Sequence, residues 1–540
     1  VAVGLGLGFT PAASADTQPI DLQLLALNDF HGHLEPGTPG TIREFPTSDP
    51  VRAGGAEYLA SHIRSLEADS PHSLVVSAGD LIGASPLLSA LFHDEPTIEA
   101  MNRIGLDLNA VGNHEFDEGA AELLRMQRGG CHPTDGCLDG DGFSGAEFGF
   151  LAANVVHEDT GRPLFRPYSI KKVDGVKVGF IGMTLEGTPE IVTPSGVAGL
   201  RFLDEAQTAN HYARVLRAEH GVRAIVVLLH EGGAQTAPFG INDCNGVAGP
   251  IVDIVNRTTD AVDLFITGHT HQPYNCVIDG RPVTSASSFG RLVTDIDMTL
   301  DRVTHDVASV RVNNRVVTQT VAKASDISAL IARYDAIAAP LRNRLIGSTS
   351  AAITRTANPA GESALGDVIA DAQWEATAAA ERGAAVAAFM NPGGIRADFD
   401  AGDVTYGEAF TVQPFGNSLV TMTLTGAQLD TLLEQQWCGQ TFPRILQVSA
   451  SVRYAWDAAA PVCDRVDPAG ITVNGAPVDP AAGYRITVNS FLADGGDAFR
   501  VLRDGTDRLG GDIDLDALEE YFTGHSPVAP GPQDRITRLN

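Results

Sequence analysis

Positive charge is what this chain has least of. It carries 37 lysines and arginines against 67 aspartates and glutamates, for a formal charge of −30 at pH 7, and only four of the basic residues are lysines (171, 172, 177 and 323). A field of that sign repels nucleic-acid backbones and anionic membranes at long range, which argues against a duplex-binding protein. A small anionic substrate remains compatible only where metal ions or arginines reverse the field locally. Long apolar runs are also missing: beyond the N-terminus no segment approaches the ~18 consecutive apolar residues of a membrane span. The final Thr537-Arg538-Leu539-Asn540 offers neither a hydrophobic tail nor a lipidation cysteine. Cysteine is scarce, six in 540 residues, and no C-x-x-C occurs. A zinc ribbon or thioredoxin-type redox site is therefore poorly supported. Repeats and low-complexity tracts are lacking, and 44% hydrophobic with 19% charged residues is ordinary for a folded chain, so disorder is not expected.

What is present points to export and to more than one core. A chain of 540 residues exceeds what a single hydrophobic core usually serves, so two or three domains are expected. Residues 1–15, VAVGLGLGFTPAASA, resemble the apolar region and small-residue cleavage site of a secretory signal, without its charged start. The expectation is a secreted or cell-envelope protein that is released, not anchored. An oxidising compartment suits disulfides. Sequence alone leaves the connectivity of six cysteines open. Neighbour pairing, Cys131–Cys137, Cys244–Cys276 and Cys438–Cys463, is chosen because each pair then stays within one expected domain.

From residue 20 to about 320, short β-rich runs (22–27, 73–77, 224–229, 263–267) alternate with helical stretches. Near-continuous apolar strands that each enter a polar loop indicate sheets covered by helices. Residues 130–147, rich in Gly, Asp and Cys, read as a surface loop stapled at its base. Residues 324–346 carry Ile327, Leu330, Ile331, Tyr334, Ile337, Leu341 and Leu345 at three- and four-residue steps, which predicts a helix starting near Ser325. It reads as a connector, or equally as the last helix of the first domain. Residues 348–540 predict a mixed α+β domain, with an Ala-rich helix at 361–380 and a hairpin at Asn474-Gly475.

Five segments place metal-ligand side chains just after a predicted strand: Asn28-Asp29-Phe30-His31, Ser77-Ala78-Gly79-Asp80, Val111-Gly112-Asn113-His114-Glu115, Leu229-His230-Glu231 and Thr267-Gly268-His269-Thr270-His271. Ligands in open α/β sheets gather beyond the carboxyl ends of strands, so five such loops can share one crevice. Asp, Asn and His supply hard-to-borderline donors without the soft thiolates of copper(I) or iron–sulfur sites. Each segment alone is weak, since a D-x-H is usually a loop acid beside a surface histidine and Gly-Asn also makes turns. Their joint occurrence in this order is not weak.

The ordered set D-x-H, G-D, G-N-H-E, H and G-H-x-H resembles the calcineurin-like metallophosphoesterases, and LNDFHGHLEP, GNHEFD and NPGGIR narrow the resemblance to the secreted 5′-nucleotidase branch. It covers the chain from Leu22 to about Arg500. The resemblance implies an α/β metallophosphoesterase sandwich joined by a helix to a mixed α+β substrate-binding domain. It implies two divalent metal ions, with zinc and manganese favoured over iron, cobalt or magnesium. Asp29, His31 and His271 would hold the first, Asn113, His230 and His269 the second, and Asp80 would bridge them. Such a pair activates water and clamps phosphoryl oxygens. His114 would stabilise the transition state or protonate the leaving oxygen, oriented by Asp117.

In the second half the resemblance assigns Asn391, Gly393, Gly394 and Arg396 to the substrate, with a guanidinium suited to gripping phosphate. Phe415, Asn417, Phe491 and Asp497 match segments that supply two stacking aromatics and a ribose-binding carboxylate. Without the family these phenylalanines would read as core residues. One departure stands out: Asn358-Pro359-Ala360-Gly361 occupies a stretch where nucleotide-specific relatives often carry arginines, and Arg355 lies a little upstream. The implied reaction is hydrolysis of nucleoside 5′-monophosphates such as AMP. Alternatives are a nucleotide-sugar pyrophosphatase, a 2′,3′-cyclic phosphodiesterase, or a secreted binding protein that keeps the fold without turnover. Nothing in the chain implies a protein partner.

Overall fold

The computed structural model describes residues 18–37 and 40–540. The expected signal remnant, residues 1–15, lies outside them. In the first half two six-stranded sheets face each other. One runs Val307–Val316, Leu292–Leu300, Ile20–Leu27, Ser73–Ser77, Leu106–Ala110, Gly149–Leu151, and the other Pro273–Ile278, Arg281–Ala286, Leu264–Thr267, Ala224–His230, Val176–Thr184, Tyr168–Val173.

Side-chain alternation sets the layers. Leu22, Leu24 and Ala26 turn inward and meet Val76, Leu108, Val226, Leu228 and Ile266 between the sheets. Their neighbours Leu25, Leu27 and Val75 turn outward under helices Ala56–Glu67 and Glu95–Ile104. On the far side Ile225, Val227 and Leu229 pack under helices Glu205–His220 and Pro250–Arg257. Strands covered on both faces have to be apolar throughout, which is why these runs show no polar alternation. The central strands of each sheet are parallel neighbours, and the loops at their carboxyl ends meet in one crevice.

The helix after this sandwich runs Ser325–Arg342 and buries Ile327, Leu330, Ile331, Tyr334 and Ala338 in the first core, with Tyr334 edge-on to Phe92 at 4.7 Å. It stops short of the predicted length because the chain turns into the strand Leu345–Thr349, which leaves Ile337 and Leu345 exposed. Ala324, not Ser325, occupies the N-cap and contributes no side-chain bond.

The second half centres on a five-stranded sheet, Gln447–Val448, Ala387–Met390, Gly483–Asn489, Ser418–Thr425, Thr506–Ile513. Helices Ala364–Ala378 and Asp514–His525 contribute to one core, and helix Gly426–Glu434 packs into another. The Ser363 hydroxyl caps Ala364–Ala378 by accepting from the Gly366 N–H at 3.1 Å. At the tip of the 472–477 hairpin Asn474 and Gly475 have φ of 52° and 74°, the positive pair that a type I′ turn needs. Disulfides join Cys131 to Cys137, Cys244 to Cys276 and Cys438 to Cys463, each within one half of the chain.

Candidate functional site

All seven side chains assigned above to metals lie together at the strand ends. Six of them form two trios, Asp29/His31/His271 and Asp80/His230/His269, each with its ligand atoms within 4.8 Å of one another, and a third such group, His31/Asp80/His114, links the two. Nε2 of His271 lies 3.2 Å from Oδ1 of Asp29 and 3.1 Å from Nε2 of His31. Nε2 of His31 is 3.5 Å from Oδ2 of Asp80, which also lies 2.9 Å from Nε2 of His230. Asp80 thus faces a histidine of each trio.

The backbone is bent to achieve this. Asp29, His31, Asp80, His269 and His271 all have φ between 47° and 70°. Non-glycine residues reach that region rarely and at a cost, and such strain concentrates at functional sites. Gly112 is needed for another reason: a Cβ there would sit 2.2 Å from Oδ1 of Asp80.

Hydrogen bonds aim the rings. Nδ1 of His31 donates to the Gly83 carbonyl at 2.9 Å and Nδ1 of His230 to the Ala78 carbonyl at 2.8 Å, which leaves each Nε2 facing the cluster. Burial holds His31 well below an ordinary imidazole, sets His269 at about 3 and lowers His271. These rings are therefore neutral and keep a lone pair for a metal. Burial opposes charge on His230 as well, but Asp80 outweighs it and raises that ring to about 10. Asp80 keeps its proton off despite burial because His230 and His114 lie beside it. In this cluster Oδ1 of Asn113 is buried without a hydrogen-bond partner, and Nε2 of His230 faces Oδ2 of Asp80 at 2.9 Å. A buried acceptor left unpaired calls for an explanation, and Asn113 belongs to the assigned ligand set. The residues fit divalent cations.

His114 follows Asn113 into the crevice. Its backbone N–H donates to Oδ1 of Asp80 at 2.9 Å, and its Nδ1 lies 2.9 Å from Oδ2 of Asp117. Burial disfavours its charged form, yet Asp117 and then Asp80 hold its pKa above the ordinary value.

The second half closes over this cluster. Phe415 stacks on the His114 ring, and the Arg396 guanidinium lies 5.8 Å from the centre of the Phe415 ring. Arg396 has no carboxylate within ion-pair distance among the described residues and donates only weakly, at 3.4 Å, to the Gly393 carbonyl. Burial and the neighbouring Arg355 lower its pKa. A Cβ at Gly394 would fall 2.4 Å from Cε of Met390 and displace the end of that side chain, whereas Gly393 has ordinary room.

The remaining assigned residues are tied into the domain. Asn391 donates to Asp497 at 2.9 Å and accepts from Asn489 at 3.0 Å. Buried Asp497 also faces Nε of Arg444 at 3.3 Å. Asn417 accepts from Ser490 at 3.1 Å. The half-buried Phe491 ring lies against Gly496, where a Cβ would come within 2.5 Å of it. No ring contact joins Phe415 to Phe491 among the described residues.

Several participants were not singled out from sequence. Glu115 is buried and accepts from the N–H groups of Asp80, Leu81 and Gly112 at 2.6–3.0 Å, fixing the loops that carry Asp80 and Asn113. Asn28 donates to Asp29 at 2.7 Å and accepts from the Ala286 N–H at 2.7 Å. Both lie inside motifs visible in the sequence. Phe289, stacked on His33 and edge-on to His31 and His271, had no such signal.

Comparison with known proteins matches both halves of the chain to families. The calcineurin-like phosphoesterase family matches residues 22–273, and the 5′-nucleotidase C-terminal domain family matches residues 345–504. Endonuclease YhcR of Bacillus subtilis is 31% identical over 98% of this chain, and cell wall protein Lmo0130 of Listeria monocytogenes is 33% identical over 92% of it. This chain spans 42% and 66% of the lengths of those two relatives. The crystal structure of a 5′-nucleotidase precursor from Thermus thermophilus superposes with a TM-score of 0.80 at 28% identity, covering 96% of this chain and 100% of that one.

Proposed function

Because this chain belongs to the calcineurin-like phosphoesterases that carry a 5′-nucleotidase C-terminal domain, and is therefore a phosphoester hydrolase, we propose that it releases phosphate from nucleoside 5′-monophosphates such as AMP outside the cytoplasm, with two divalent metal ions. The observation that carries the reading is the convergence of the donor side chains, two trios with Asp80 facing a histidine of each, beneath an arginine and an aromatic from the second half.

Asp29, His31 and His271 would hold one ion, Asn113, His230 and His269 the other, and Asp80 both. Bound there, the ions supply Lewis-acid polarisation of the phosphoryl group and of the attacking water. The chain's own residues do the rest. Asp117 fixes the His114 ring through Nδ1, so that a proton on Nε2 is available to the leaving oxygen. Arg396, uncommitted to any carboxylate, is free to take phosphoryl oxygens with its planar fork. Arg355 lies near enough to add to burial in lowering its pKa, and contributes to the local reversal of an otherwise negative field. Phe415 offers a face to the base, while Asn391 and Asp497 form one hydrogen-bonded pair suited to ribose hydroxyls.

Export is supported by the three disulfides and by the cell-wall description of one relative. Among the described residues no helix is long and apolar enough to cross a membrane. A second reading, hydrolysis of a phosphodiester, is favoured by the endonuclease name of the other relative. Phosphate release from AMP, compared with cleavage of a cyclic or dinucleotide diester, with and without chelator, separates the two.

A further inference from the structure

Asp497, the carboxylate assigned to the ribose, is held by the turn that follows helix Gly426–Glu434. That turn runs through Cys438, which is bonded to Cys463, and on to Arg444. Nε2 of Gln440 donates to the Asp497 carbonyl at 2.7 Å, and Nε of Arg444 lies 3.3 Å from Oδ1 of Asp497. The two contacts are coupled, because Oε1 of Gln440 accepts from Nη1 of Arg444. Both residues are tied back to the helix end. Nε2 of Gln440 also donates to the Gln435 carbonyl at 2.9 Å, and the Arg444 N–H donates to the Gln436 carbonyl at 2.9 Å.

Asp497 depends on such a hold. It has φ of 54° and the following Ala498 has φ of 61°, a left-handed stretch that non-glycine residues adopt rarely and at a cost. Contacts at both its carbonyl and its carboxylate offset that cost. Asp497 is also only 7% exposed, and burial raises its pKa against Arg444 and then Asn391, which pull it down. A buried carboxylate without a paired cation is strongly disfavoured, and Arg444 is the cation this one faces. The guanidinium carbon of Arg444 lies in turn 4.2 Å from the centre of the Phe442 ring, an arrangement that favours its charge. An ionised carboxylate offers about four lone-pair sites. Asn391 takes one on Oδ2 at 2.9 Å and Arg444 faces Oδ1, which leaves a site on each oxygen for a pair of neighbouring hydroxyls.

We propose that Arg444 is a positioning residue for ribose recognition: with Gln440 it fixes the Asp497 carboxylate so that both oxygens accept from the 2′- and 3′-hydroxyls of a ribonucleotide. This role presupposes the nucleotidase reading above and adds to it the residue that sets preference for a ribose over sugars lacking those hydroxyls.

The test compares AMP with 2′,3′-dideoxyadenosine 5′-monophosphate on the metal-loaded enzyme with intact disulfides. Wild type should favour AMP in kcat/KM by ~10-fold or more, the range for hydrogen bonds to a charged group. Arg444→Met should bring that ratio toward one by raising KM for AMP ~10-fold, with kcat little changed. Asp497→Asn should lower the ratio too, and adding Arg444→Met to it should lower it no further, because Arg444 acts only through Asp497. Gln440→Leu should move the ratio in the same direction. Hydrolysis of an aryl phosphate, which carries no ribose, checks that each variant is folded and loaded with metal. A wild-type ratio near one would overturn the ribose assignment of Asp497 itself. A clear wild-type preference that Arg444→Met leaves intact, or losses that multiply in the double variant, would overturn the role of Arg444 alone. If Arg444→Met loses aryl phosphate hydrolysis through misfolding, Gln440→Leu decides: an unchanged ratio there overturns the role.

Discussion

The ring of Phe415 lies on the imidazole of His114, with centroids 5.7 Å apart and planes within 16° of parallel, although the two residues belong to opposite halves of the chain. The proposed base-stacking aromatic and the proposed proton donor are therefore neighbours, and binding and chemistry meet at one place. Stacking on an aromatic is worth ~1–3 kcal/mol per base by alanine substitution. The double variant Phe415→Ala, Phe491→Ala should raise KM for AMP at least ~tenfold on that basis. Hydrolysis of a small aryl phosphate, which lacks base and ribose, should change little. Steady-state kinetics on both substrates checks this, and equal loss on both would make the rings structural.

His114→Ala should retain its bound metal and lower kcat by ~10²–10⁴, the range for a lost general acid. Metal analysis alongside kinetics distinguishes this from loss of a ligand. Asp117→Asn should behave as a milder version, because it removes the carboxylate that fixes Nδ1 of His114. Recovery of its rate with a substrate whose leaving group needs no protonation is the matching observation.

Asp263 gives a pH-dependent prediction away from the site. Burial raises its pKa to about 7, while its Oδ2 accepts from the Ile225 N–H at 2.8 Å. An unfolded aspartate titrates near ~3.9. The folded state therefore holds this proton more tightly. The stability it contributes is complete below pH ~4 and is lost as pH rises through about 7. Asp263→Asn keeps the acceptor without the charge, so its melting temperature relative to wild type should rise between pH 5 and pH 8. A constant difference across that range would contradict the sign.

Much of this was legible because the signals are local. Apolar strands running into polar loops marked the sheets, the Ala-rich stretch marked its helix to within a few residues, and Asn474-Gly475 marked the hairpin turn. The ligand-type residues were legible because each follows a strand end directly. What was hidden depends on packing between distant segments. Nothing near Tyr334 indicates that its ring meets Phe92, which is what draws the helix Ser325–Arg342 into the first core. The stacking of Phe415 on His114 likewise needs both halves in place, and the approach of Arg355 to Arg396 needs two loops of the second half brought together. Glu115 was in plain view in the GNHE motif, but its use as an anchor for three backbone N–H groups follows only from two loops folding together.

The most direct test of a dimetal nucleotidase is phosphate release from AMP by wild type and Asp80→Asn, with metal per chain measured in both and a chelator arm included. Asp80 is the acid that faces a histidine of each trio, so its loss should take bound metal at this cluster below two per chain and nearly abolish release. Wild type should release one phosphate per adenosine, stop on chelation and recover on return of a divalent cation. Full activity of Asp80→Asn with its metal content unchanged, or release that persists after complete metal removal, would contradict it.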